Sequence, residues 1–110
     1  MNKNHKTILK IIGHIEKIFD YSSGFNKDEL LLDSKTLDAC LIHLIQIGEL
    51  ANYQLDNLFK RTHNDINWKN INGMRNIITH NYYEIDYNIV YDTITESLPI
   101  LIHALKKILE

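Results

Sequence analysis

Between Met74 and Asp86 the chain reads MRNIITHNYYEID, which places Arg75, His80 and Tyr82 at the spacing Arg-x4-His-x-Tyr. Arginine presents a permanently charged planar fork that matches a phosphate. Histidine takes and gives a proton near neutral pH, and tyrosine carries a phenol open to modification. Together these are parts for chemistry at a phosphodiester. RNA brings its own nucleophile, the 2′-hydroxyl. Cleavage therefore needs a base for that proton, an acid for the leaving oxygen, and positive charge for the phosphorane-like transition state. His80 suits proton transfer and Arg75 suits charge stabilisation. The scheme requires no metal and no cofactor. One histidine leaves the second proton-transfer role unfilled, and a two-fold dimer that brought two motifs together would fill it.

The geometry of a helix decides which of these residues can cooperate. Each residue advances about 100° around the axis, so Arg75 and His80, five apart, diverge by about 140°. Asn76 and His80 are i and i+4 and share a face, so Asn76 is a candidate to hold a nitrogen of His80 or to contact substrate. Arg75 flanks that face, and Tyr82 approaches from just past the helix end. Spacing alone favours structural roles for all three: Arg75 in a surface salt bridge, His80 at a helix C-terminus, Tyr82 packed on the bundle.

Other chemistries find less support. His5, His14, His43, His63 and His103 are scattered, with no pair at i, i+4 and no Glu-x-x-His, which disfavours a zinc-protease helix and a di-iron bundle. His43 is most simply a satisfied core or interface histidine. Gly48 and Gly73 are isolated, so there is no glycine-rich phosphate loop. Cys40, the single cysteine, reads as a small buried apolar residue and cannot form an intramolecular disulfide. The net charge of −2 and pI near 6.3 argue against binding nucleic acid by bulk positive charge. Locally the balance reverses: from Lys60 to His80 four basic residues (Lys60, Arg61, Lys69, Arg75) face one acid, Asp65. Either a basic strip surrounds the motif or a solvated loop happens to be basic.

The elements that must position the motif are helical. One proline and four glycines leave little punctuation, and apolar residues recur at helical spacing. The pattern predicts a first helix over Lys3–Tyr21 with Ile8, Ile11, Ile12, Ile15, Ile18 and Phe19 on one stripe, then a short turn of helix around Lys27–Leu32. Asp33 or Ser34 caps a long second helix. Along it Leu37, Leu41, Leu44, Gly48, Ala51, Leu55 and Leu58 keep a 4-3 spacing, the seam of a packed bundle. Gly48 and Ala51 would let a neighbouring backbone come close. Cys40, Ile47 and Leu50 form a second line, so this helix has two partners, a second subunit or a surrounding bundle.

Lys60 to Asn67 reads as a loop, followed by a third helix over Trp68–His80 with Trp68, Ile71, Met74 and Ile78 inward. A fourth runs from Asp86 to Leu109, bent near Thr95–Pro99 because Pro99 cannot donate to the Thr95 carbonyl. The expectation is a single domain over residues 1–110, an all-α, four-helix up-and-down bundle with a further short helix. About two thirds of the unfolded chain's surface would be buried. The opening MNKNHK lacks the apolar stretch of a signal peptide, and no apolar run approaches the roughly 18 residues of a membrane span. A soluble, reduced, cytoplasmic protein is expected.

Four blocks then carry a resemblance over nearly the whole chain: Ile47-Gly48-Glu49-Leu50-Ala51, Trp68 to Asn76 leading into His80-Asn81-Tyr82, Ile85-Asp86, and Leu98-Pro99. In these the chain resembles HepT-type proteins of the HEPN superfamily. The resemblance implies a HEPN-type bundle and a homodimeric, metal-independent ribonuclease toxin with its cleft at the dimer interface, Arg75 and His80 being catalytic and Asn76 beside them. It implies as partner an MntA-type nucleotidyltransferase antitoxin, in a type VII-like toxin–antitoxin system, which uses ATP to attach AMP to Tyr82. Added charge and bulk beside Arg75 and His80 would compete with RNA. A catalytically silent HEPN module that binds a nucleotidyltransferase or nucleotide is the alternative, and a purely structural helical dimer is a third. RNA incubated with unmodified protein separates them.

Overall fold

A computed structural model describes residues 2–110, and Met1, with which the expected leader-free opening begins, lies outside the described residues. Among the described residues there is no strand. The helices are α1 (Lys3–Ser22), α2 (Lys27–Leu32), α3 (Ser34–Tyr53), α4 (Asn57–Thr62), α5 (Trp68–His80), α6 (Tyr87–Asp92) and α7 (Leu98–Ile108). The expected all-α bundle is thus observed.

Local signals set most boundaries. The Asn2 side chain caps α1 by accepting from the His5 N–H. Asn26 and Glu29 close a reciprocal capping box on α2. Asp33 accepts from the Thr36 N–H and starts α3. Asn67 does the same for α5 through Asn70, and Asp86 starts α6 through Asn88. Each such cap is worth about 1 kcal/mol.

α3 is the central element. It packs with α1, whose Ile8, Ile11, Ile12, Ile15 and Ile18 are all buried, and with α5. Both lines of α3 are therefore buried by this chain's own helices, the surrounding-bundle alternative for that helix. The direction of each neighbour follows from its contacts. Thr7, at the start of α1, lies against the carbonyl of Gln54 at the end of α3, so the two run antiparallel. Tyr82, just after α5, reaches Asp38 near the start of α3, so α3 and α5 do too.

The seam stops before Leu58, which is 67% exposed. The 4-3 spacing continues in sequence, but α3 ends at Tyr53, and Leu55 is the last seam residue buried. Two tertiary contacts hold the break. The Lys60 ammonium donates to the otherwise free Ala51 carbonyl at 3.0 Å, and Asn4 of α1 clasps Asp56 through both side chain and backbone. The stretch expected as loop from Lys60 consequently begins inside α4. The Trp68 indole N–H then donates to the carbonyls of Lys60 and His63, fixing the start of α5 against α4.

The expected fourth helix is α6 and α7 joined by one π-helical turn over Thr93–Ser97. The Leu98 N–H reaches back to Thr93, five residues away, which widens the turn where Pro99 supplies no donor for Thr95. α7 packs on α1. Between α7 and α5 the bundle is open: a groove of about 750 Å³ lies there, lined by Leu44, Ile47, Ile71, Met74, Ile77 and Leu101 among others. Among the described residues no helix is long and apolar enough to cross a membrane.

Candidate functional site

Arg75 projects from the middle of α5 onto α3. A Cβ built on Gly48 would stand 2.4 Å from the Arg75 Cβ and 2.7 Å from its Cγ, distances that real side chains do not tolerate. Gly48 is therefore there for the stem of Arg75, not simply for backbone approach, although the Ile71 carbonyl also lies 3.4 Å from that point. Beyond the stem, Nη1 pairs with Glu49 Oε1 at 3.3 Å, and Nη2 donates to Tyr53 Oη at 3.3 Å and Asn72 Oδ1 at 3.4 Å. The guanidinium also stands 5.7 Å from the centre of the Tyr53 ring. Its Nε has no hydrogen-bond partner among the described residues.

The salt bridge foreseen for Arg75 exists, yet it is not a surface one on the arginine side, which is 11% exposed against 40% for Glu49. Water reaching Glu49 screens the pair, limiting it to about 1 kcal/mol or less. The pair orients the guanidinium more than it stabilises the fold.

His80 closes the last turn of α5 and is exposed. Asn76 is half-buried one turn earlier on the same face, but no hydrogen bond joins them. The carbonyls of Arg75 and Asn76 instead accept from the Thr79 hydroxyl. Nor does any hydrogen bond join Arg75 to His80, in keeping with their divergence around the helix. Tyr82 begins a 3-10 turn, Tyr82–Glu84, and its hydroxyl donates to Asp38 Oδ1 at 3.1 Å. The Asp38 carboxylate, and Tyr87 after it, favour the protonated phenol and push it up to about 12. Tyr83, its neighbour, is 99% exposed and meets Tyr82 edge-on.

Sequence reasoning left Glu49, Tyr53, Asn72 and Asp38 without roles. A usable signal was present for two of them: Glu49 and Tyr53 are i and i+4 on one face of α3, directly beside a mid-seam glycine. Asp38 offered none, because it lies 44 positions from Tyr82.

Cys40, His14 and His43 make no hydrogen bond or ion pair with these residues. Cys40 is fully buried, and burial raises its thiol to about 11, which makes it inert. His43 meets His14 of α1 with 2.8 Å between their Nδ1 atoms, beside the Tyr21 ring. That hydrogen bond requires one neutral acceptor ring. Burial, then mutual repulsion for His14 and Lys17 for His43, lowers both from the ordinary histidine value. Among the described residues no group of three or more His, Cys, Asp or Glu is arranged to hold a metal ion.

The chain is 33% identical over 102 residues to a protein named probable ribonuclease HepT from Thermococcus cleftensis, covering 92% of each. It is 29% identical to a protein of Caldanaerobacter subterraneus subsp. tengcongensis, over 91% of this chain and 88% of that one. It is 28% identical to one of Methanocaldococcus jannaschii, over 94% and 84%; both are named putative RNase. No solved structure matches the chain. Residues 11–108 match the family described as Ribonuclease HepT-like. The chain thus belongs to the HepT-like family of ribonucleases.

Proposed function

We propose that this chain is a single-domain, metal-independent endoribonuclease, the toxin of a toxin–antitoxin pair, in which Arg75 and His80 act on RNA. The observation that carries this reading is the seating of Arg75. Its stem is pinned on Gly48 and its head is held by Tyr53, Asn72 and a weak, screened pair with Glu49. Such a guanidinium is pre-oriented and can exchange Glu49 for a phosphate without rebuilding its surroundings.

In this mechanism the 2′-oxygen attacks phosphorus and the bond to the 5′-oxygen breaks. Charge grows on the non-bridging oxygens, where Arg75 stabilises it. His80, exposed at the end of α5, transfers a proton, and Asn76 on the same face supports it or the substrate. The second proton-transfer group comes from a second copy in a homodimer. Exposed Ile77, Ile89 and Ile100 near the open α5–α7 side support association of copies.

The off-switch is AMP addition to Tyr82 by an MntA-type nucleotidyltransferase. The phenol oxygen attacks the α-phosphorus of ATP and pyrophosphate leaves. Asp38, already accepting from the hydroxyl, is placed to take its proton.

His80→Ala and Arg75→Ala should each lower RNA cleavage by about 10²- to 10⁴-fold with the helical content unchanged. Cleavage undiminished in both variants overturns the catalytic assignment. Intact mass after co-expression with the nucleotidyltransferase should rise by whole AMP units in the wild type and not in Tyr82→Phe. No shift beside an active transferase removes the regulatory half.

A further inference from the structure

A second, polar groove of about 720 Å³ lies where the end of α3, α4 and the start of α5 meet. Its character is opposite to that of the apolar groove. Asn52, Asn57 and Asn64 line it with amides, and Arg61 and Lys69 bring positive charge against a single acid, Asp65. None of Asn52, Asn57, Asn64, Arg61 or Lys69 makes a side-chain hydrogen bond or ion pair among the described residues, and the three amides and two cations are thus uncommitted. The walls, by contrast, are committed: Lys60 holds the Ala51 carbonyl and Trp68 holds the carbonyls of Lys60 in α4 and His63 just after it. The groove is a firm frame carrying free donors and acceptors.

It is also continuous with the Arg75 site. Asn72 lines the groove and accepts from Arg75 Nη2. Tyr53, next to Asn52 in the last turn of α3, is 65% exposed and accepts from the same guanidinium nitrogen. A strand whose scissile phosphate sits at Arg75 is therefore led past an exposed aromatic ring into the amide-lined groove.

Resting on the ribonuclease reading above, we infer that this groove holds the single-stranded RNA flanking the scissile phosphate. Arg61 and Lys69 neutralise its backbone, Tyr53 offers a face for a base, and the asparagine amides meet base edges. Single-stranded RNA fits because its backbone supplies the anion for two free cations, while its unpaired bases supply both donors and acceptors for amides and a π-face for tyrosine. The arrangement also bears on how a chain of net charge −2 binds RNA: the uncommitted cations Arg61 and Lys69 lie in one groove beside the site.

The test is fluorescence anisotropy of a short labelled single-stranded RNA of mixed sequence, with His80→Ala as the uncleaving parent. Adding Arg61→Ala and Lys69→Ala together should weaken binding about tenfold at low salt. It should also flatten the dependence of log affinity on log salt by about 1.4, some 0.7 per lost phosphate contact. Unchanged thermal melting shows that α4 and α5 still fold. Should the parent bind RNA and the triple variant bind it equally, with the same salt slope, the groove assignment fails while the ribonuclease reading stands. Should wild-type protein neither bind nor cleave RNA, the reading beneath it fails. Loss of nucleotidyltransferase binding with RNA affinity intact would make the groove a protein contact and overturn the proposal.

Discussion

The two long faces of α3 are built on opposite principles. Toward α1 it meets a dry stripe of isoleucines, of which Ile8, Ile15 and Ile18 have no exposed surface at all. Toward α5 the same helix offers Gly48, Glu49 and Tyr53 to an arginine. Burial of each isoleucine contributes about 1.5–3 kcal/mol, whereas the screened Arg75–Glu49 pair contributes about 1 kcal/mol or less. One face holds the bundle together and the other holds a charge in place. Because the first carries most of the stability, the second can keep a costly glycine and a half-satisfied guanidinium.

Ile15→Ala should break this contrast most severely. It empties a fully buried site on the α1 face, and about 2–5 kcal/mol of unfolding free energy should be lost, read as a lower urea midpoint. A loss near zero would mean that the α1 face is not the stabilising one.

Gly48→Ala probes the other face. The new methyl meets Arg75 at Cβ and Cγ, which cannot swing away as a side-chain tip can. Overpacking of about 1–3 kcal/mol is offset by about 1 kcal/mol of gained helix propensity, so stability should fall by no more than about 2 kcal/mol. RNA cleavage should fall much further than stability, because the guanidinium is displaced. Equal, small losses in both would show that Arg75 need not lie where it does.

The smallest effect belongs to the His14–His43 contact, a polar seam within the α1 face. Both rings titrate below the ordinary value of 6.5 in the folded protein, so below that value the unfolded chain binds protons that the folded one refuses. Their contribution is complete above pH 6.5 and should decline as pH falls through 6.5 toward the lowered folded values. Lys17, the charge acting on His43, adds to the repulsion. The urea midpoint should therefore drop with acidification in the wild type and drop less in His14→Gln/His43→Gln. Parallel pH profiles would rule the pair out as the cause.

Legibility in the sequence followed the range of the interaction. The bounds of α2 and α5 were read correctly from turn-forming residues and periodicity, as was Asp33 as a cap, since caps act within three residues. The seam of α3 was legible to Leu55 but not its end, because the contacts that stop the helix come from Asn4 and Lys60. The bend expected near Thr95–Pro99 took the form of a π turn at Thr93–Ser97, where Pro99 supplies no donor for the Thr95 carbonyl.

At the candidate site the division is sharper. Arg75, Asn76, His80 and Tyr82 could be named because they share one short stretch, and the four-block resemblance supplied the family that the comparisons bear out. What each side chain touches could not be named. Arg75 meets Tyr53 across 22 positions, His14 meets His43 across 29, and Tyr82 meets Asp38 across 44. By itself the sequence determined an all-α bundle with its apolar stripes and its reactive residues, because helical periodicity and capping are local. Only the tertiary structure decided that Gly48 makes room for an arginine, that Glu49 is its partner and that Asp38 holds the phenol of Tyr82, because those depend on which helices lie side by side.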